Sequence, residues 1–330
     1  VMMKVARFHG FGGPDVLQVE RVDLPQPGRG EVAIAVHVCG LNHIDVDIRE
    51  GISRLPIELP HTPGGDISGE IEAIGPGVDG DWALGDRVVV FDHASVGDGR
   101  GGLAERVIWP AARLVRLPPG LSHEAAAAAG ITFATAHNTL LRRGRLSAGE
   151  TVLVHSVSAG VGLAAAQVAK HHGARVIGTT SSADKIARLG GLELDAVLDY
   201  TRDDVAAEVR RLTGGRGADL VFDHLGGEAF GVGLAALKPR GRVVVIGGHA
   251  GEVVPLDLVA LFREEKEIIG ATRFERDDLV AVLGEVATGG LRPIIHRTFS
   301  LDEARAAMEE LESRRHVGKV LVSCTSASGS

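Results

Sequence analysis

The 330 residues exceed what one hydrophobic core usually organises, and 45% hydrophobic with 24% charged residues is an ordinary water-soluble composition, so two globular domains are expected. A formal charge of -8 disfavours nucleic acid and anionic membrane surfaces as partners, and no apolar run approaches the roughly 20 residues that span a bilayer. Only two cysteines are present, Cys39 and Cys324, which excludes a disulfide framework and an all-cysteine zinc site and fits a reducing cytoplasm.

The opening "VMMKVARF" is too short in its apolar part for a secretory signal. Up to about Gly120, short alternating runs such as "GEVAIAVHVCG", "SGEIEAIG" and "DRVVVF" are separated by Gly- and Pro-rich breaks such as "LPQPGRG" and "RLPPGLS". This spacing predicts a barrel-like β domain, with "NHIDVDIREG" as a helix inside it. From Ser122, "SHEAAAAAGITFATAHNTLL" has a Ser cap, an early Glu and an alanine-rich body, which predicts a helix. Strands and helices then alternate: "TVLVHS" leads to "GVGLAAAQVAKHHG", "ARVIGTT" to "SADKIARLGG", "DAVLDY" to "DDVAAEVRRLTGG" and "ADLVFDHLG" to "EAFGVGLAALKP", before "RVVVIGG". Near-continuous Val/Ile/Leu strands joined by amphipathic helices predict a parallel sheet covered on both faces. "LVALFREEKEIIGAT" adds a helix and a strand, and from about Arg273 two more helices precede a last strand, "GKVLVS". The tail "CTSASGS" is expected to be disordered, and no internal repeat is visible.

The stretch "VLVHSVSAGVG" tests for a dinucleotide. The G-x-G-x-x-G register falls on Val157, Ala159 and Gly162, so only the last position is glycine, with Gly160 in addition. Gly162 keeps the close helix-to-strand packing role. Gly160 lets its own N–H and that of Val161 face a phosphate at the helix N-terminus, and Ser158 and Ala159 are small enough not to block it. Alone the motif is weak; a strand before it, a helix after it and further strand–helix units make it a dinucleotide site. The second strand ends "IGTTSSADK", where an NAD site usually has an acidic residue for the ribose 2′-OH. Thr179, Thr180, Ser181 and Ser182, followed by Lys185, suit a 2′-phosphate instead, and NADPH is the expected cofactor. Asp184 falls in the first turn of the next helix, where acids are common in any case.

With these motifs in place the sequence resembles the zinc-independent quinone oxidoreductases, the ζ-crystallin-like branch of the medium-chain dehydrogenase/reductase superfamily. The resemblance covers nearly the whole chain, through "GGPDVLQVERVDLPQPGRGEVAIAV", "GLNHIDVDIREG", "PHTPGGDISGEIEAIGPGVDG", "LGDRVVV", "VLVHSVSAGVGLAAAQVAK", "GGRGADLVFD", "RGRVVVIGG" and "HVGKVLV". It implies an α/β protein: a β-rich GroES-like catalytic domain from both chain ends (1–121 and 272–330), and an inserted Rossmann doubly wound parallel-sheet domain (122–271) that binds NADPH. It also implies an active site in the cleft between the domains, and a dimer or sometimes a tetramer.

Zinc-dependent relatives carry a cysteine where this chain has Asn42 and a His-Glu pair where it has Gly65 and Asp66, so a soft ligand set cannot be assembled there. The cysteine-rich lobe is also missing from "FDHASVGDGRGGLAE". His43, His61, Asp66 and His93 are other candidate ligands, but read as loop or turn residues, and no metal is expected. The resemblance places Asn42 and Thr132 beside nicotinamide and substrate, as donors to the oxygen of a quinone or enone. Some members have a tyrosine at the position of Asp47; the single tyrosine here is Tyr200, which the resemblance puts near the adenosine 2′-phosphate, and His43 or Asp45 is then the candidate proton donor. It further places "DHLGG" with Gly226, and "GGHAG" with Gly247 and Gly248, along the nicotinamide ribose, and Arg314, or its neighbour Arg315, on the 2′-phosphate. The expected activity is a cytoplasmic NADPH:quinone or enone reductase acting on a small molecule. Two alternatives stand beside it: an enoyl-thioester reductase, for which Arg49, Arg54 and Arg273 would form a basic rim, and a non-catalytic, crystallin-like or nucleic-acid-binding NADPH protein.

Overall fold

The computed structural model describes residues 2–91, 98–158 and 160–325, so the expectations for His93 and Ala159, and most of that for the tail, lie outside the described residues. The chain divides into two compact units, the first Val1–Ile131 with Leu283–Thr288 and Pro293–Ser330, the second Thr132–Val282 with Gly289–Arg292. In chain order the strands and helices are β1 (Met2–Arg7), β2 (Gln18–Asp23), β3 (Glu31–Gly40), α1 (His43–Glu50), β4 (Asp66–Ile74), β5 (Arg87–Val90), β6 (Arg106–Pro110), β7 (Leu114–Arg116) and α2 (His123–His137). Then follow β8 (Thr151–Val154), α3 (Gly160–His171), β9 (Arg175–Thr180), α4 (Ala183–Arg188), β10 (Ala196–Asp199), α5 (Val205–Leu212), β11 (Ala218–Asp223), α6 (Gly227–Ala236), β12 (Leu237–Val245), α7 (Leu258–Arg263) and β13 (Glu267–Gly270). The chain closes with α8 (Arg276–Ala287), β14 (Ile295–Ser300), α9 (Ala304–Glu312) and β15 (Lys319–Ser323).

In the first unit the main sheet runs β14-β15-β3-β4-β5-β7, with β6 also on β3. Its centre is β3, whose Val32, Ile34 and Val36 alternate into a core with Ile48, Ile71, Leu103, Leu114 and Met308. The last strand, β15, returns to pair antiparallel with β3, Leu321 opposite Gly40, so both ends of the chain build one β-rich unit. β14 is a strand the sequence did not announce: of its six residues only Phe299 is buried, so no apolar alternation marks it.

Helix α2 starts as expected, with Ser122 Oγ accepting from Ala125 N–H (3.1 Å). It then breaks at Gly130, whose φ of -10 and ψ of -108 are not helical. The freed Ile131 N–H donates to Asp66 Oδ1 (2.6 Å), and a Cβ on Gly130 would collide with that oxygen. The unit boundary falls at this break, between Ile131 and Thr132, rather than at Ser122 where the composition changes.

The second unit holds a six-stranded parallel sheet in the order β10-β9-β8-β11-β12-β13. Counted by appearance this is 3-2-1-4-5-6, the doubly wound dinucleotide-binding order. Val152, Leu153 and Val154 of β8 are wholly buried, each contributing about 1.5–3 kcal/mol of transfer free energy, which is why these strands read as unbroken apolar runs.

Candidate active site

In a doubly wound sheet the ligand crevice lies at the carboxyl ends of the strands, where the order reverses. Here that point is between β8 and β11. The turn after β8 is tied to β9: Thr179 Oγ1 accepts from Ser156 N–H (3.1 Å) and Thr179 O from Val157 N–H (2.9 Å). Ser158 is buried in this turn. A Cβ on Gly162 would strike the Ser156 carbonyl oxygen, so α3 sits this close to the turn because that residue is glycine. Gly160, the first residue of α3, has a left-handed φ of 54 and open space where a Cβ would be, and Val161 after it is half-buried.

Two loops meet across the reversal point. His224 Nε2–H donates to the His155 carbonyl (2.8 Å), and burial holds the His224 imidazole down to about 4, so it is neutral at pH 7. Asp223 Oδ1 accepts from Leu225 N–H (2.8 Å) and Gly226 N–H (3.0 Å), tightening the loop after β11. Gly226 has a left-handed φ of 69, and a Cβ on Gly247 would collide with the His224 carbonyl oxygen, while Gly248 borders Gly251 and Glu252. Asp223, His224 and His155 organise this crossing and were missed as functional residues; the only sign of them was the pair of strand-end motifs "VLVHS" and "DHLGG".

At the end of β9, Thr180 is buried and its Oγ1 has no hydrogen-bond partner. Tyr200 N–H donates to Thr180 O (3.1 Å), which sets the half-exposed Tyr200 beside it, and Ser181 follows on the chain. Ser182 Oγ caps α4 by accepting from Lys185 N–H (3.3 Å). No carboxylate takes the Thr180 hydroxyl. Asp199 is turned to Thr201, whose hydroxyl and N–H hold its pKa low, and Asp184 is exposed on α4. An unpaired buried hydroxyl costs free energy unless a ligand satisfies it, so Thr180 fits a group bound at this strand end.

In the first unit Asn42 precedes α1. Its Nδ2 donates to Asp66 Oδ2 (2.8 Å), and Lys319 Nζ donates to Asn42 Oδ1 (2.5 Å) and to Asp66 Oδ2 (2.7 Å). Asp66 and Lys319 are both buried, and Asp66 spends its other oxygen on Ile131 N–H. Lys319 comes from β15; the sequence held it inside "GKVLV" but gave no reason to bring it to Asn42. Gly40 makes room for the three: a Cβ there would press on Lys319 Cε and Asp66 Cβ. For zinc the donor set does not fit, because Asn42 offers a neutral amide, Gly65 no side chain, and Asp66 is already held by Lys319.

Asp45 needs correction as a proton donor. It is buried, and its two oxygens accept from Asn42 N–H (2.8 Å) and Gly64 N–H (2.8 Å), so it caps α1 and fixes the neighbouring loop. Arg49 also leaves the basic rim: it is fully buried, with Nε donating to Gly12 O (3.0 Å) and Nη2 paired to Glu312. His43 and Asp47 are half-buried on α1, His61 is buried against Phe8, and Arg54 and Arg273 are exposed. Arg314 and Arg315 lie exposed just after α9 in the first unit, and Thr132 is buried at the start of the second.

Residues 28–119 match the alcohol dehydrogenase GroES-like domain family and residues 160–288 the zinc-binding dehydrogenase family. The chain is 33% identical over 332 residues to quinone oxidoreductase of Rattus norvegicus, across 97% of this chain and 98% of that one. It belongs to the quinone oxidoreductase branch of the medium-chain dehydrogenase/reductase superfamily. Among solved structures, this oxidoreductase is similar to an NAD-dependent alcohol dehydrogenase (TM-score 0.90, 36% identity, 97% of this chain and 99% of that one). It is also similar to a mycobacterial protein complexed with NADPH (TM-score 0.85, 33% identity, 97% and 100%). As a member of this superfamily it is an NAD(P)-dependent oxidoreductase with a GroES-like and a Rossmann part.

Proposed function

We propose that this oxidoreductase is an NADPH-dependent, zinc-independent reductase of quinones or α,β-unsaturated carbonyls. The observation that carries the reading is the Asn42–Asp66–Lys319 network. It puts an oriented neutral amide where zinc-dependent relatives have a thiolate. Lys319 donates to Asn42 Oδ1 and so fixes which way the amide is turned. Asp66 accepts one Nδ2 hydrogen, and the second is unclaimed among the described residues. That N–H serves as donor to the substrate oxygen on which negative charge builds. NADPH, when bound, supplies the hydride. A conjugated acceptor spreads the charge it receives, so it asks less of its surroundings than an isolated ketone, which needs a Lewis acid.

Support for the 2′-phosphate comes from Thr180, Ser181 and Tyr200 at neighbouring strand ends and from the carboxylates turned elsewhere. The similarity to a protein complexed with NADPH points the same way, and that to an NAD-dependent enzyme the other. Ser158, Gly160, Val161 and Gly162 would hold the pyrophosphate, and Gly226, Gly247 and Gly248 the nicotinamide ribose. Steady-state oxidation of NADPH and of NADH with 1,4-benzoquinone, phenanthrenequinone and a simple enone tests the reading. Turnover with a marked NADPH preference is expected. Turnover only with an acyl-CoA enone would transfer the reading to the thioester reductases, and tight NADPH binding without turnover on any acceptor to a binding role.

We further propose a homodimer joined along β13. Among the described residues this strand is the edge of its sheet, with β12 its one neighbour there, and its own Ile268 is 40% exposed. Leu258, Val259 and Phe262 of α7, just before it, are exposed as well. An apolar open edge is an aggregation liability unless covered, and a second copy related by a twofold axis covers both edges at once.

A further inference from the structure

The antiparallel β3–β4 pair slips register between Val36 and Val38, which face Gly69 and Ser68, so His37 is an extra residue in β3. Such a bulge re-aims a side chain. Ser68 and Glu70, two apart on β4, share one face of the sheet, and His123 is the first residue of α2. These elements bring two imidazoles and one carboxylate together. His123 Nε2 is 3.7 Å from Glu70 Oε1, His37 Nε2 is 3.9 Å from Glu70 Oε2, and one ligand atom from each residue lies within 4.8 Å of the others. The two imidazole centroids are 4.2 Å apart.

We propose that His37, Glu70 and His123 form a binding site for a zinc-type divalent cation, separate from the Asn42 and Gly65 positions. Three protein ligands of this kind with a fourth place for water are a familiar zinc set, and ligands of a tetrahedral zinc stand about 3.4 Å apart, so the cluster closes by a small contraction. The surroundings of His123 allow the tautomer it needs. Ser68 Oγ lies 2.8 Å from His123 Nδ1 and 3.4 Å from the Val88 carbonyl; with its hydrogen given to Val88, the hydroxyl accepts from Nδ1–H. That leaves the Nε2 lone pair turned towards Glu70, as metal-binding histidines are commonly held by a bond at the other nitrogen. In that tautomer Nε2 and the Glu70 carboxylate, 3.7 Å apart, are both acceptors, so a cation between them would be held by both. The side chains of His37 and Glu70 are 32% and 40% exposed, so an ion can enter from solvent. Arg87 opposes it: its Nε–H donates to His123 Nε2 (3.5 Å) and so holds the lone pair a cation would take, although its Nη2 is also drawn to the Leu121 carbonyl (2.5 Å), and binding requires the guanidinium to give up Nε2.

Bound there, the ion would fasten β3 and β4 to the start of α2, raising stability without touching hydride transfer. The test is titration of chelator-treated full-length protein with Zn2+ against a chromophoric competitor, with the thermal midpoint followed alongside. One equivalent bound, a midpoint that climbs with Zn2+, and at least tenfold weaker binding in His37→Asn and in Glu70→Gln are expected. Circular dichroism checks that both variants fold. Arg87→Gln, which removes the opposing charge, should bind more tightly. Absence of zinc uptake by the wild-type chain, uptake unchanged in folded His37→Asn and Glu70→Gln, or an affinity unmoved by Arg87→Gln would overturn the assignment.

Discussion

Replacing Asn42 with Ala removes the N–H assigned to the substrate oxygen while leaving Lys319 paired with Asp66. Loss of one such donor costs about 10²-fold or more in kcat. We expect a fall of that order with NADPH affinity unchanged, measured by steady-state kinetics and fluorescence titration. Asp45 makes a prediction about pH. Burial raises its pKa to about 6, so between about 4 and 6 the folded state holds a proton that the unfolded state has released, and stability falls as pH rises through that window. His61, lowered to about 4 by burial, acts in the opposite sense, losing stability as pH drops from about 6.5 towards 4. The two offset each other in the first unit. Asp45→Asn removes one side of the balance, so its urea midpoint should drop more between pH 7 and pH 5 than that of the wild type; equal drops would refute the assignment. Of these residues the sequence showed Asn42 and Asp45 together in "NHID", but Lys319 is 277 positions from Asn42 and joins it only through the β15–β3 pairing.

At the level of elements, the strand–helix alternation of the second unit was legible because parallel strands buried on both faces must be continuously apolar. The break in α2 was not. Its alanine-rich body reads as helix throughout, and the cause of the break, Asp66 pressed against Gly130, lies on β4. The same limit applies to β14, whose single buried side chain leaves no period to read. At the end of β9 four hydroxyls stand where an acid would mark NAD, which is the ground for the proposed NADPH preference. Ser181→Asp places a carboxylate beside the proposed 2′-phosphate. Like charges brought together cost several kcal/mol, so KM for NADPH should rise at least about tenfold, with that for NADH unchanged. Equal effects on both would move the phosphate elsewhere.

For the whole molecule, the strand order 3-2-1-4-5-6 and the return of β15 to β3 account for how one chain makes a dinucleotide unit from two segments and a β-rich unit from three. No helix among the described residues is long and apolar enough to cross a membrane. The open β13 edge predicts that Ile268→Lys with Phe262→Glu shifts the mass seen by light scattering from dimer to monomer; a monomeric wild type would remove the dimer from the account. In the proposed reaction hydride reaches a conjugated acceptor without a catalytic metal. Turnover of NADPH with 1,4-benzoquinone should be measured before and after exhaustive treatment with a zinc chelator. The same kcat is expected in both, even if the thermal midpoint falls as the His37–Glu70–His123 site empties. A kcat that is lost on chelation and restored by Zn2+ in the folded protein would contradict it.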